Sequence, residues 1–384
     1  MNFWKRLKNT LSGEGISSPG ASGDGIFYGV DPNAEPDYSV FRGYFDCVKY
    51  EDGFLTVSGW MLSIYGAYDE CVMYIDGKRR GKFEQVKRPD VAHGLPTIDD
   101  AEDSGFQFRM VIHEVELERI VKITVRGVME GREVGQMETG FIKDLYTIMP
   151  SPPIPLIQRV DGHANPEFYH LKGIQNFCEI REVIEQHIED AIPVEKMLDW
   201  GCGSGRLIGF FYNFSSIPDL YGCDIDAEAV EWAQKQFPKA HFSAIDPYPP
   251  TLYPENEFEL IISFSVFTHL DRDTQMQWLK EMQRVLKPGG LFITTVHGMI
   301  AARTILNEDQ IDELVNKGFF DQGEDTKLEG IAPEQYYRSF FMTKQYIRKQ
   351  WSNYFEILEH LEQGASNYHD IVVMRKPERL AAKA

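Results

Sequence analysis

The chain has 384 residues, 43% hydrophobic and 13% aromatic, which suits two packed domains and excludes global disorder. A formal net charge of −20 argues against broad contact with a nucleic acid backbone, which needs clustered Lys and Arg. Five scattered cysteines (Cys47, Cys71, Cys178, Cys202 and Cys223) without a CxxC pair indicate neither zinc nor disulfides, and imply a reducing, cytoplasmic compartment.

Residues 1–37 read as a flexible N-terminal segment. Met1–Leu11 is basic and mildly amphipathic, and a Gly/Ser-rich stretch follows. A frayed terminus is the expectation, with weak contact to a membrane surface as the functional alternative. No apolar run approaches the ~20 residues of a membrane span.

Residues 38–149 change character. Phe54–Leu62 follows the turn pair Asp52-Gly53, and Cys71–Ile75 leads into Asp76-Gly77. Phe106–Met110 and Ile120–Arg126 alternate apolar and polar. Short β-rich runs with Asp-Gly turns predict antiparallel hairpins and, repeated, a β-sandwich. On Ser58-Gly59-Trp60, Tyr74-Ile75-Asp76-Gly77, Arg88-Pro89-Asp90-Val91 and Ser104-Gly105-Phe106, the region resembles β-sandwich modules attached to bacterial glycosyltransferases and methyltransferases of surface-polysaccharide assembly. The resemblance implies a docking or glycan-binding role and glycosyltransferases of the same pathway as partners. Trp60 is expected in the core rather than on a sugar.

Residues 150–166 read as a Pro-rich linker, with four prolines in Pro150–Pro155 favouring an extended connection. Residues 167–378 form the second domain. A helix over Glu167–Ile192 leads into alternating elements. The strands are Lys196–Trp200, Leu220–Asp224, Ala240–Ala244, Phe258–Ser263 and Leu291–Val296. Helices fall over Ala227–Gln236, Asp273–Leu286, Ile311–Lys317 and Lys344–Trp351, and a final antiparallel pair over Tyr354–Glu359 and Asp370–Arg375. The alternation predicts an α/β, Rossmann-like sheet with helices on both faces.

The richest stretch is Leu198-Asp199-Trp200-Gly201-Cys202-Gly203-Ser204-Gly205-Arg206. It has the form of a strand, a tight glycine turn and a helix start, which suits a nucleotide-like ligand. A dinucleotide site wants GxGxxG, but Arg206 stands where the third glycine of that fingerprint would be. Asp199, two residues before the first glycine, suits an ammonium group and would repel a pyrophosphate. Asp224 closes the next strand and suits a ribose diol, which both ligand classes carry. Asp246 follows the third strand, where a carboxylate can accept from an adenine amino group. Three strand-end acids without a basic phosphate clamp fit S-adenosylmethionine better than NAD.

Further pieces sharpen this: Tyr221-Gly222-Cys223-Asp224-Ile225-Asp226, Glu257–Ile261, Ser265-Val266-Phe267-Thr268-His269-Leu270 and Arg284–Gly290. With the glycine loop, they make residues 196–296 resemble a class I S-adenosylmethionine-dependent methyltransferase. The Ser265–Leu270 run resembles a bacterial subgroup encoded with glycosyltransferases. The resemblance implies that Gly201, Cys202, Gly203 and Gly205 form the cofactor loop, with Asp199 holding the amino acid end. It gives the ribose to Asp224, the adenine face to Ile225 and the adenine edge to Asp246. Phe264 and Ser265 would line the passage to the methyl group.

The implied reaction is methyl transfer to an acceptor hydroxyl, of a saccharide or surface-polysaccharide precursor. Another small molecule or a protein side chain is the alternative acceptor, and a non-catalytic glycan- or partner-binding protein the alternative function. His269 and His297 follow the fourth and fifth strands, and either could act as general base. Helix-capping or packing is the competing role for both. Tyr169 and His170 could lie over the cofactor, and Asp271 reads as an N-cap. Gly318–Met342 is long and irregular, as acceptor loops are, and carries Tyr336, Tyr337 and Arg338. No metal cluster or nucleic acid site is indicated.

Overall fold

The computed structural model describes residues 41–378 except 64, 96, 97, 99, 163 and 189–191. The basic N-terminal stretch and the Gly/Ser-rich segment lie outside the described residues. The chain divides into two compact units between Leu145 and Tyr146.

The first unit is built from two antiparallel sheets. One runs in the order Phe41–Glu51, Phe54–Ser63, Gly105–Val111, Glu84–Val86, with Gly66–Ala67 beside the second strand. The other runs Lys78–Lys82, Glu70–Ile75, Val121–Met129, Arg132–Phe141. Both Asp-Gly pairs make the hairpin turns expected of them. Asp52 and Gly53 have φ of 51° and 82°, and Asp76 and Gly77 have 48° and 72°, a twist that matches the flanking strands. A Cβ added at Gly43 would meet the Met137 sulfur at 2.9 Å, so the two sheets pack face to face. Trp60 is buried against Tyr44, ring centroids 5.5 Å apart, with Leu62, Val91 and Leu95 around it. It is a core residue and presents no face to a sugar.

The second unit carries a seven-stranded sheet. Numbered along the chain, its strands are β1 (Lys196–Trp200), β2 (Asp219–Asp224), β3 (His241–Ala244), β4 (Phe258–Ser263), β5 (Leu286–Val296), β6 (Glu356–Ala365) and β7 (His369–Arg375). Their order is β3-β2-β1-β4-β5-β7-β6, parallel except for β7, which runs antiparallel to both neighbours. The fully buried runs Phe258–Ser263 and Leu291–Val296 are apolar because helices cover both faces. The helices needed below are α1 (Ile154–Asp161), α2 (Pro166–His187), α3 (Ile208–Phe214), α4 (Ala227–Gln236) and α5 (Arg272–Val285). Asp226 and Asp271 cap α4 and α5, accepting from Ala229 N at 3.2 Å and Thr274 N at 2.8 Å.

Two segments differ from expectation. The Pro-rich stretch is not extended throughout, because α1 starts at Ile154 with Pro155 in its first turn, where proline costs no hydrogen bond. Leu156 and Ile157 bury its inner face. Gly318–Met342 is not irregular either. Phe319–Glu324 and Arg338–Met342 pair as an antiparallel hairpin, with Phe319 and Phe340 stacked at 5.5 Å.

The core of the sheet's one face joins Phe267, Trp278, Phe292, Trp351 and Phe355. Phe292, on β5, has no solvent exposure and lies 6.1 Å from Phe267 and 5.6 Å from Phe355 between ring centroids. Phe292→Ala should lower unfolding free energy by about 3–5 kcal/mol, the usual cost of emptying a buried phenyl site; urea unfolding of the variant measures it.

Candidate active site

The sheet order reverses between β1 and β4, and a crevice opens at the strand carboxyl ends at such a point. A cleft lies there. Its walls are Asp199 to Gly203, Arg206 and Leu207 after β1, Asp224 to Asp226 after β2, Ile245 after β3, and Phe264 to Val266 after β4. Leu156, Arg159 and Val160 of α1 close one side, and Leu328, Tyr336 and Tyr337 another.

The glycine loop is held by its own hydrogen bonds. Gly201 N and Cys202 N both donate to the Cys223 carbonyl, at 2.8 and 3.1 Å. Gly205 N donates to the Cys202 carbonyl at 2.9 Å. Gly203 N donates to Asp224 Oδ2 at 2.8 Å. These amides are therefore not offered to a phosphate, which a dinucleotide loop would require. Gly201 has φ +81°, and an added Cβ would fall 2.2 Å from Val266 Cγ2. Gly205 serves packing instead: its Cβ position meets Phe237 of the neighbouring turn at 2.9 Å, and it does not line the cleft.

Asp199 is buried and accepts from Ile208 N at 3.2 Å, so it ties β1 to the start of α3 while facing the cleft. Burial pushes its carboxyl up to about 7; the Ile208 amide and Arg206 oppose this, and Asp224 adds to it. Asp224 Oδ1 accepts from Asp226 N at 2.9 Å. Each Asp224 oxygen thus holds one amide and keeps a second lone pair for a ligand. Burial raises its pKa as well. Asp246 is exposed and lies outside the cleft wall; its neighbour Ile245 faces inward instead.

Several wall residues were not legible in sequence. Arg159 crosses from α1 to Asp226, with Nη1 2.9 Å from Oδ2, and to Glu228 at 2.7 Å. It fastens α1 beside the loop. Arg206 stands 5.8 Å from the Tyr169 ring centroid and 5.7 Å from that of Phe264. Tyr169 Oη bonds Ser204 Oγ at 2.9 Å, while His170 bonds Ser151 at 2.7 Å, away from the cleft wall. Arg338 pairs with Asp321 at 2.9 Å, so its guanidinium serves the hairpin.

The two histidines part company here. His269 lines the cleft, and its Nδ1 lies 3.0 Å from the Arg338 carbonyl, which can only accept. The ring proton therefore sits on Nδ1, and Nε2 carries the lone pair. Tyr337 stacks on the ring at 4.1 Å. Burial, with Lys327 nearby, pushes the His269 pKa down to about 3. The imidazole is neutral near pH 7, and Nε2 keeps its lone pair. His297 is not in the cleft wall; it lies behind His269, ring centroids 5.9 Å apart, and burial lowers its pKa strongly. Among the described residues no group of side chains could hold a metal ion.

Residues 198–294 match a family described as a methyltransferase domain. Thiocyanate methyltransferase 1 of Brassica oleracea is 29% identical over 119 residues, covering 29% of this chain and 51% of that protein. The chain spans about half the length of the curated relatives it matches. A solved S-adenosylmethionine-dependent methyltransferase from Methanosarcina mazei aligns with 18% identity over 51% of this chain and 98% of that one, TM-score 0.40. Human N-acetylserotonin methyltransferase in complex with SAM aligns with 18% identity, 53% and 56% coverage, and TM-score 0.34. The residues present fit S-adenosylmethionine: two acids and Arg206 face the cleft, apolar Ile225 and Ile245 flank it, and the loop amides are taken up by acceptors of the chain itself.

The depressed histidine sets a pH signature. The folded pKa of His269 is about 3 against 6.5 for the free residue, so the unfolded chain binds more protons between them. Stability is then present above about 6.5 and is lost as pH falls toward 3. Asp199, raised from 3.8 to about 7, has the opposite sign and loses its contribution as pH rises through 7. Thermal midpoints taken from pH 7 down to 5 should fall less steeply in His269→Gln than in the parent, because the amide takes no proton.

Proposed function

We propose that this chain, in which residues 198–294 form an S-adenosylmethionine-dependent methyltransferase domain, methylates a hydroxyl of a saccharide or saccharide-linked acceptor. The observation that carries the cofactor reading is the glycine loop, whose amides are spent internally between two strand-end acids. Bound S-adenosylmethionine supplies an electrophilic methyl group on a cationic sulfur. Asp199 meets the ammonium end and Arg206 the carboxylate. Asp224 accepts from the ribose hydroxyls through its remaining lone pairs. Ile225 and Ile245 pack the adenine. Gly201, Cys202 and Gly203 let the backbone come close, and Phe264 and Ser265 line the way to the acceptor.

His269 holds the proton balance. Its Nε2 would take the acceptor's hydroxyl proton as the O–C bond forms and the methyl–sulfur bond breaks, the electron pair staying with the sulfur of the demethylated cofactor, while Nδ1–H stays on the Arg338 carbonyl. The neutral ring requires no prior deprotonation near pH 7. Positioning of the hydroxyl by the cleft walls contributes the rest. The saccharide reading is supported by the likeness of the first unit to glycosyltransferase-linked modules, and it makes such enzymes the expected partners in a cytoplasmic pathway. The similarity to thiocyanate methyltransferase 1 favours a second reading, in which the acceptor is a sulfur nucleophile.

Calorimetry should detect binding of S-adenosylmethionine and its demethylated product to the folded chain; failure of both abandons the reading. Asp224→Asn should weaken that binding by about 1–3 kcal/mol, the range for hydrogen bonds to a charged group. His269→Gln should leave cofactor affinity unchanged and lower turnover by ~10²–10⁴, as loss of a general base does. Full turnover in that variant would reduce His269 to a support of the hairpin.

A further inference from the structure

The first unit contains a hollow of its own. Met61 and Phe106 line it from one sheet, and Glu70 and Cys71 from the other. Phe83 lines it at the point where the chain crosses between the two sheets. The hollow measures about 60 Å³, a little under half of the 150 Å³ of the cleft in the second unit. One sugar ring stands to S-adenosylmethionine in about that proportion, and a single water needs only ~10–15 Å³. Ser104 also lines the hollow; it is 3% exposed, and its Oγ is buried without a hydrogen-bond partner. Such a hydroxyl has given up water and gained nothing from the chain, so it is set to meet the polar group of a ligand.

Three carboxylates border the hollow, and each is half engaged. Asp69 Oδ2 accepts from Glu130 N at 2.8 Å, Glu70 Oε2 meets Lys82, and Asp103 Oδ1 meets Lys87 at 2.7 Å. Among the described residues, the second oxygen of each is left to accept. Gln85 donates to the Asp103 carbonyl at 3.0 Å and keeps its side-chain oxygen. Phe83 and Phe106 pack beside them, ring centroids 4.6 Å apart. This set discriminates between ligand classes. Lys82 and Lys87 already offset two of the acids, so an ammonium group gains little, and an anion would face three carboxylates. Among the described residues no group of side chains could hold a metal ion. An apolar ligand would leave Ser104 and the carboxylates unpaired. A neutral polyol fits: its hydroxyls donate to the free carboxylate oxygens and accept from Ser104, and its C–H face packs on the aromatic rings.

We infer that the hollow of the first unit is a saccharide subsite, seating a single sugar residue of a glycan between Ser104 and the three half-engaged acids. It shares the chemical class of the acceptor proposed above, and it stands whether or not the second unit binds S-adenosylmethionine. The full chain, with isotopically labelled methionine methyls, is titrated with the methyl glycosides of glucose, galactose, mannose and N-acetylglucosamine, and separately with methylamine. A saturable shift of the Met61 methyl is expected with at least one glycoside, while Met282, in the core of the second unit, is unmoved. Ser104→Ala should weaken binding of that glycoside ~5-fold or more, as loss of one hydrogen bond does. Asp69→Ala, at an exposed position, should weaken it similarly with the thermal midpoint retained. If no glycoside moves Met61, if methylamine moves it in their place, or if the folded variants bind like the parent, the subsite is overturned and the hollow holds water only. Calorimetry with S-adenosylmethionine on the same protein should give one affinity with and without the glycoside; failure of that binding would bear on the methyltransferase reading alone.

Discussion

The carboxylate of Asp224 is the point on which the cleft depends. One oxygen takes the Gly203 amide and the other the Asp226 amide. It thereby joins the loop after β1 to the turn after β2, at the place where the two strands part from the sheet. Asp226 in turn caps α4 and receives Arg159 from α1. A chain of polar contacts thus runs from strand end to helix cap to covering helix. Burial makes each link worth more than it would be at a surface, and also raises the cost of leaving one unmade. A geometry fixed in this way presents the remaining carboxylate lone pairs at a defined spot, which is what recognition of a diol requires.

Much of this was legible in sequence because it is local. The Asp-Gly turns, the caps at Asp226 and Asp271, and the buried strands around Phe258 and Leu291 follow from rules that act within a few residues. The acid–glycine–acid spacing carried the ligand class for the same reason. What was not legible depends on distant partners. Helix α1 starts amid prolines, and composition alone favours an extended chain there; the burial of Leu156 and Ile157 decides otherwise. The Phe319–Met342 hairpin looked irregular because its apolar residues face other elements as well as each other, as Phe341 does toward His297.

The histidines make the same division. His269 and His297 follow consecutive strands, and the sequence offers both as candidate bases. The structure separates them by place, since His269 lines the cleft and His297 does not. His369, which belongs to neither motif, joins them only because β7 inserts antiparallel between β5 and β6.

That tautomer-fixing carbonyl belongs to Arg338, the first residue of the hairpin's return strand. Tyr337, which stacks on the same imidazole, is its immediate neighbour. Under the proposed reading, the segment that borders the acceptor side and the segment that orients His269 are consequently one piece of chain. Under the methyltransferase reading, substrate choice and base alignment are not independent traits here. A graft that exchanged this hairpin for another, in search of a new acceptor, would also remove the carbonyl and the ring that hold His269. Divergence of specificity along this route must carry its own replacement for both, or proceed through changes that leave Tyr337 and the Arg338 main chain where they are.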